Sequence, residues 1–167
     1  MYKTALENNM GLKKLFNTKS LTQAGIIAAL YVALTLASYP FSYGQVQFRL
    51  SEALTVLPAY TMTAIPGIYV GCIVANILGG SMVDAVVGSL ASLIAAILSR
   101  YMPKKWLVPL PPVLANAVII GFELNYLYDL NLYACMASVG FGELVICYGL
   151  GYPLMKVLDK YKNKIFK

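Results

Sequence analysis

The stretch Met82-Val-Asp-Ala-Val-Val-Gly-Ser-Leu-Ala-Ser-Leu-Ile-Ala-Ala-Ile-Leu-Ser99, followed at once by Arg100-Tyr-Met-Pro-Lys104-Lys105, decides the solvent in which this chain folds. Residues 82–99 carry a single charge, Asp84 near their start, and as an α-helix they are long enough to cross most of a hydrocarbon layer about 30 Å thick. The run ends in three positive charges, the mark of a membrane helix arriving at the cytoplasmic face. Working outward, the rest of the chain has the same character. It is 59% hydrophobic and 12% charged over 167 residues, with a mean hydropathy of +0.69. A soluble domain of this length carries about twice that charged fraction.

The other positive charges repeat the pattern. Lys3, Lys13, Lys14 and Lys19 precede the first apolar run, and Lys156, Lys160, Lys162, Lys164 and Lys167 follow the last; with the 100–105 loop these clusters hold 12 of the 13 positive charges, leaving Arg49. Clusters interleaved with apolar runs exclude a nucleic-acid patch as the meaning of the net charge of +6. The positive-inside rule places all three clusters in the cytoplasm, so the intervening stretches cross an even number of times. Turn signals at Tyr39-Pro40 to Gly44, Ala64 to Gly67 and Gly79-Gly80-Ser81 divide the first stretch. The expected architecture is an all-α, six-transmembrane-helix bundle with both termini cytoplasmic and spans 20–38, 50–63, 65–79, 82–99, 107–126 and 132–155. A cytoplasmic segment 1–19, a membrane domain 20–158 and a basic tail 159–167 complete the plan. Residues 1–19 have no apolar h-region, so no cleavable signal peptide is expected.

Several chemistries fall away. There is no histidine, which removes Ser-His-Asp and Cys-His nucleophile arrangements and His-ligated metals. Cys72, Cys135 and Cys147 lie singly in apolar runs and read as small buried hydrophobes. No GxxxxGK[ST] loop is present to bind ATP. The sequence implies no enzyme, no metal and no cofactor.

Small residues mark helix contacts. Gly25, Ala29, Ala33 and Ala37 form a ridge spaced by four on the first span, beside a second ridge of Ala24 and Ala28. Gly67, Gly71, Ala75 and Gly79 form another on the third. Such ridges let helix backbones approach closely in lipid. Two small faces on the first span exceed the needs of one internal neighbour, so one of them is a candidate partner surface.

The polar residues inside apolar runs carry the functional reading, because a carboxylate at the bilayer centre costs about 2.5–3.5 kcal/mol on insertion scales. Arg49, Glu52, Asn76, Asp84, Asn116, Glu123 and Glu143 all fall in the outer half of the predicted bundle and point to a pocket facing outward. Competing structural readings are an Arg49–Glu52 ion pair, a boundary position for Asp84, and interhelical hydrogen bonds from Asn76 and Asn116. Glu123 and Glu143 are expected to lack a buried cation. Gly140, Gly142, Gly149 and Gly151 around Glu143 permit either a close approach or a bend.

The stretch Pro40-Phe-Ser-Tyr43-Gly-Gln-Val-Gln47-Phe-Arg49-Leu-Ser-Glu52-Ala-Leu-Thr55-Val-Leu-Pro58 resembles the signature of the QueT family, as do Gly71-Cys72, Ala75-Asn76, the Asn116 region and Gly142-Glu143-Leu144. The resemblance covers about residues 20–155. It implies a substrate-capture (S) component of an energy-coupling factor transporter in a bacterial plasma membrane. Its ligand would be a queuosine precursor, and its partners a T component and two cytoplasmic ATPases. The resemblance further implies that the outer loop 39–49 lids the site, bringing Tyr43 and Gln47 to the ligand. The first helix would present its alanines, among Ala24, Ala28, Ala29, Ala33 and Ala37, to the T component. A 7-deazaguanine base offers N–H and NH₂ donors that a carboxylate accepts bidentately. The alternative reading, from the same membrane carboxylates, is a self-sufficient oligomeric carrier or proton-coupled transporter of a small polar or cationic molecule.

Overall fold

The computed structural model describes residues 17–43 and 47–165, with side chains through Tyr161. Lys3, Lys13, Lys14 and Lys167 lie outside the described residues. The helices are α1 (Thr18–Ala37), α2 (Ala64–Gly79), α3 (Met82–Arg100), α4 (Leu110–Tyr128), α5 (Leu132–Ile146) and α6 (Tyr152–Ile165). A one-turn helix, Tyr39–Ser42, follows α1, and a 3₁₀ turn, Lys105–Leu107, precedes α4. No strand occurs among the described residues. Among the described residues, four stretches are long and apolar enough to cross a membrane: Thr18–Ala37, Met82–Arg100, Lys105–Tyr128 and Leu132–Tyr161.

Local chemistry explains the ends of these elements. Ser81 and Asp84 form a reciprocal capping box that starts α3, the Asp84 side chain accepting from Ser81 N at 2.8 Å and Ser81 Oγ from Asp84 N at 3.0 Å. Pro111 and Pro112 occupy the first turn of α4, where a missing N–H costs no helix bond. That helix ends on Asp129 in the left-handed region at φ 52°. Asn131 caps α5 by accepting from Ala134 N.

The segment expected as a second spanning helix, 50–63, is different. Leu50–Ala59 is a ten-residue 3₁₀ rod, and Ser51 through Pro58 are all buried. It packs against α1, α2, α3, α5, α6 and the turn joining the last two helices, so it forms the axis of the bundle. Its apolar composition matches burial in protein as well as burial in lipid, which is why composition alone does not separate the two. Pro58 lacks the N–H an α-helix would use there. At about 2.0 Å rise per residue the rod covers about 20 Å. The expected sixth span is also interrupted. Cys147–Gly151 forms a π turn between α5 and α6, where a Cβ on Gly151 would come within 3.0 Å of Val56 Cγ1 and 3.4 Å of Ala53 O on the rod.

The two small ridges of α1 have separate fates. Ala24 and Ala28 pack against α2, where a Cβ on Gly67 would stand 2.8 Å from Ala24 O and one on Gly71 2.9 Å from Ala28 O. Gly25, Ala29, Ala33 and Ala37 remain exposed. Of the two candidate faces, the one bearing Ala24 and Ala28 is thus covered by α2, and the one bearing Ala29, Ala33 and Ala37 is left open.

Polar contacts sort the ends of the bundle. At one end gather Tyr43, Gly79–Ser81, Leu127 and Tyr128. At the other, Arg100 Nη1 donates to Pro58 O at 2.8 Å, Lys105 pairs with Asp159, and Tyr60 donates to Met155 O and Asp159 Oδ1.

Candidate functional site

Three carboxylates and one guanidinium are buried among the described residues: Glu52, Glu123 and Glu143 with Arg49. Arg49 ends the lid segment just before the rod. Its guanidinium lies 5.2 Å from the Tyr43 ring centroid, and Nη2 donates to Gln47 Oε1 at 3.4 Å. No Arg49–Glu52 ion pair forms; among the described residues the ion pair is Lys105–Asp159. Arg49 is instead buried, in contact with Tyr43 and Gln47 and with none of the acids. The expectation that Glu123 and Glu143 lack a buried cation is therefore corrected. A buried cation, Arg49, is present beside them in the interior, 4% exposed.

Each acid has its own surroundings. Glu52 is held by the rod on the central axis; its Oε1 accepts from the Tyr31 hydroxyl and from Ser92 Oγ at 3.1 Å, while Oε2 has no partner. Glu143, on α5, accepts from Asn116 Nδ2 at 2.9 Å and from Cys147 Sγ at 3.5 Å. Glu123, on α4, lies beside the Asp84 carboxylate, and neither of its oxygens accepts from an N–H or hydroxyl of the protein. Asn76 donates to Asp84 O at 2.8 Å, the interhelical role weighed above, and Asp84 serves the α3 cap.

The described residues on either side of 44–46 are held at two points. Tyr43 donates to Ala75 O at 2.8 Å, and burial pushes its phenol up to about 12, so it remains a donor. Gly142 lies against the Gln47 backbone, where the Gln47 carbonyl leaves no room for a Cβ. Of the two roles open for the glycines near Glu143, Gly142 takes the close approach. A cavity of about 220 Å³ is lined by Tyr43, Gln47, Asp84, Leu124 and Tyr128 among others. The carboxylates of Glu52, Glu123 and Glu143 do not line it.

All nine expected ligand residues thus fall in one region. Tyr43, Gln47, Arg49, Asn76 and Asp84 gather on the lid and α2–α3 side, Glu52 sits on the axis, and Asn116, Glu123 and Glu143 come from α4 and α5. Sequence reasoning missed Tyr31, Ser92 and Cys147 as partners of the acids. A tyrosine in mid-span was an available signal for the first. The cysteines carried none, yet Cys72 and Cys147 both enter the polar network.

Fold and site together define an all-helical membrane protein with a charged polar cluster sealed in its interior. Residues 21–160 match the family model described as QueT transporter, and the chain belongs to that family of transporters rather than to an enzyme family. A curated relative, the "Queuosine precursor transporter QueT" of Lactococcus lactis subsp. cremoris (strain MG1363), is 37% identical over 79 residues, 46% of this chain and 47% of the relative. The aligned region thus spans about half the length of the curated relative. No solved structure matches the chain.

Proposed function

We propose that this chain is the substrate-capture subunit of an energy-coupling factor importer and that it binds a queuosine precursor from outside the cell. The observation that carries the reading is the charge imbalance of the buried site. Three carboxylates face one guanidinium, and Arg49 Nε, Glu52 Oε2 and both Glu123 oxygens have no partner. Such a site favours a ligand rich in donors or bearing a cation. A 7-deazaguanine base supplies N–H and NH₂ donors on one edge, and aminomethylated precursors and queuine add a cation. The name of the Lactococcus relative supports the substrate class.

In this reading the rod is a sixth passage through the membrane. The end holding Arg100, Lys104 and Lys105 faces the cytoplasm, in a bacterial plasma membrane. ATP hydrolysis comes from two cytoplasmic ATPases through a T component, which docks on the exposed ridge Gly25, Ala29, Ala33 and Ala37. The test is titration of queuine, its 7-deazaguanine precursors and guanine into the purified protein. Saturable stabilisation by the precursors is expected, and a thermal midpoint indifferent to all of them overturns the reading. For the docking face, Ala33→Trp is expected to block uptake while binding to the isolated subunit survives; normal uptake overturns that assignment.

A further inference from the structure

The unpartnered acid of α4 has an acidic neighbour on α3. The two helices pack antiparallel, and their register is fixed where a Cβ on Gly88 would stand 3.7 Å from Ile120 Cδ1. Asp84 lies four residues before Gly88 and Glu123 three after Ile120. Both therefore step one turn toward the lid end on the facing sides of their helices. There the two carboxyl groups lie side by side. Glu123 is 6% exposed, and neither of its oxygens accepts a hydrogen bond from the protein. Asp84 commits Oδ2 to the cap, accepting from Ser81 N at 2.8 Å, and keeps Oδ1 in reserve. Asp84 also lines the cavity of about 220 Å³, with Leu124, the residue after Glu123, and with Tyr43 and Tyr128.

Two carboxylates side by side repel unless a proton or a cation lies between them. Arg49 does not fill that place, because its guanidinium is engaged with Tyr43 and Gln47. No third metal-ligating side chain joins the pair among the described residues. An ammonium, which needs only acceptors for its N–H bonds, suits such a pair better than a metal ion does. We infer that Asp84 and Glu123 form the subsite for an ammonium group carried on the five-membered ring of the ligand, Asp84 meeting it at the cavity wall and Glu123 from behind. This subsite presupposes the proposed substrate class and narrows it. An aminomethylated 7-deazaguanine donates to both acids and cancels their repulsion. A nitrile at the same ring position turns a negative nitrogen toward them and is rejected.

The experiment titrates 7-aminomethyl-7-deazaguanine and 7-cyano-7-deazaguanine, which differ only in that substituent, into the full-length protein, Asp84→Asn and Glu123→Gln. Asparagine keeps an oxygen for Ser81 N, so the cap of α3 survives the first substitution. Expected are a preference of about thirtyfold or more for the aminomethylated base in the parent and its collapse to within about threefold in both variants, through weaker binding of that base. A parent that binds the two bases equally or prefers the nitrile, or a preference that survives in either variant, overturns the subsite and leaves the substrate class standing. Should Asp84→Asn fail to fold, Glu123→Gln, which gives up no donor of the protein, decides by the same comparison. A parent that binds neither base overturns the substrate class itself, and this subsite with it.

Discussion

The two ends of the bundle handle polar and charged groups in opposite ways. At the end bearing Arg100, polar groups find protein partners: Arg100 on Pro58 O, Lys105 on Asp159, and Tyr60 on Met155 O and Asp159. At the lid end, Arg49 Nε, Glu52 Oε2, Ser89 Oγ and both oxygens of Glu123 are left without any. The unsatisfied groups are the more deeply buried ones: Glu52 is completely buried and Asp159 is not. A satisfied polar network holds helices in place. An unsatisfied one stores interaction for a molecule that arrives later, at a cost in the stability of the empty protein. Substitutions at the two ends should therefore separate stability from binding.

The largest effect is expected at Arg49. Arg49→Met leaves three buried acids without a counter-charge and should destabilise the protein by about 3–5 kcal/mol. A chemical-denaturation midpoint unchanged by the substitution would mean that the acids are neutral or solvated. Next come the acids themselves. Glu123→Gln and Glu143→Gln each turn one accepting atom into a donor, and each should weaken precursor binding by about 2–5 kcal/mol. Their stabilities should diverge. Glu123 has no protein donor to lose, so the empty Glu123→Gln protein should melt no lower than the parent. Glu143 loses its charge beneath Asn116 and Cys147 and should melt lower. Unchanged affinity in both variants would make the lid end as structural as the other.

Smaller effects are expected at the opposite end. Arg100→Met gives up a charged donor to Pro58 O and should cost about 1.5–3 kcal/mol of stability with precursor affinity unchanged. Asp159→Asn, at a partly exposed ion pair, should cost less than about 1 kcal/mol. A fall in ligand affinity in either variant would erase the contrast, because the rod would then be coupling the ends.

How much of this was legible depended on what each signal measures. Hydropathy and charge placement found α1, α2, α3 and α4 to within three residues at each end, because span length and positive flanks are set by the bilayer. They also put seven polar residues, Arg49, Glu52, Asn76, Asp84, Asn116, Glu123 and Glu143, at similar depth, since depth along a span follows from counting residues. They failed at Leu50–Ala59, where an apolar run reads the same whether lipid or protein surrounds it. They missed the pairing of Tyr31 and Ser92 with Glu52 because these join elements 21 and 40 residues from it in sequence. The contacts of Arg49 were hidden for a related reason. Proximity in sequence favoured Glu52, and the fold sets the guanidinium against Tyr43 and Gln47 instead.

The enclosure of the rod bears on how this molecule breathes. A 3₁₀ segment in water frays readily, and by propensity Leu50–Ala59 would be the first part of the chain to open. Surrounded as it is, its amides reach solvent only when neighbouring helices part. Deuterium should therefore enter the rod among the last segments of the protein, well after the exposed face of α1, so that the weakest helix by local chemistry becomes the slowest clock in the molecule.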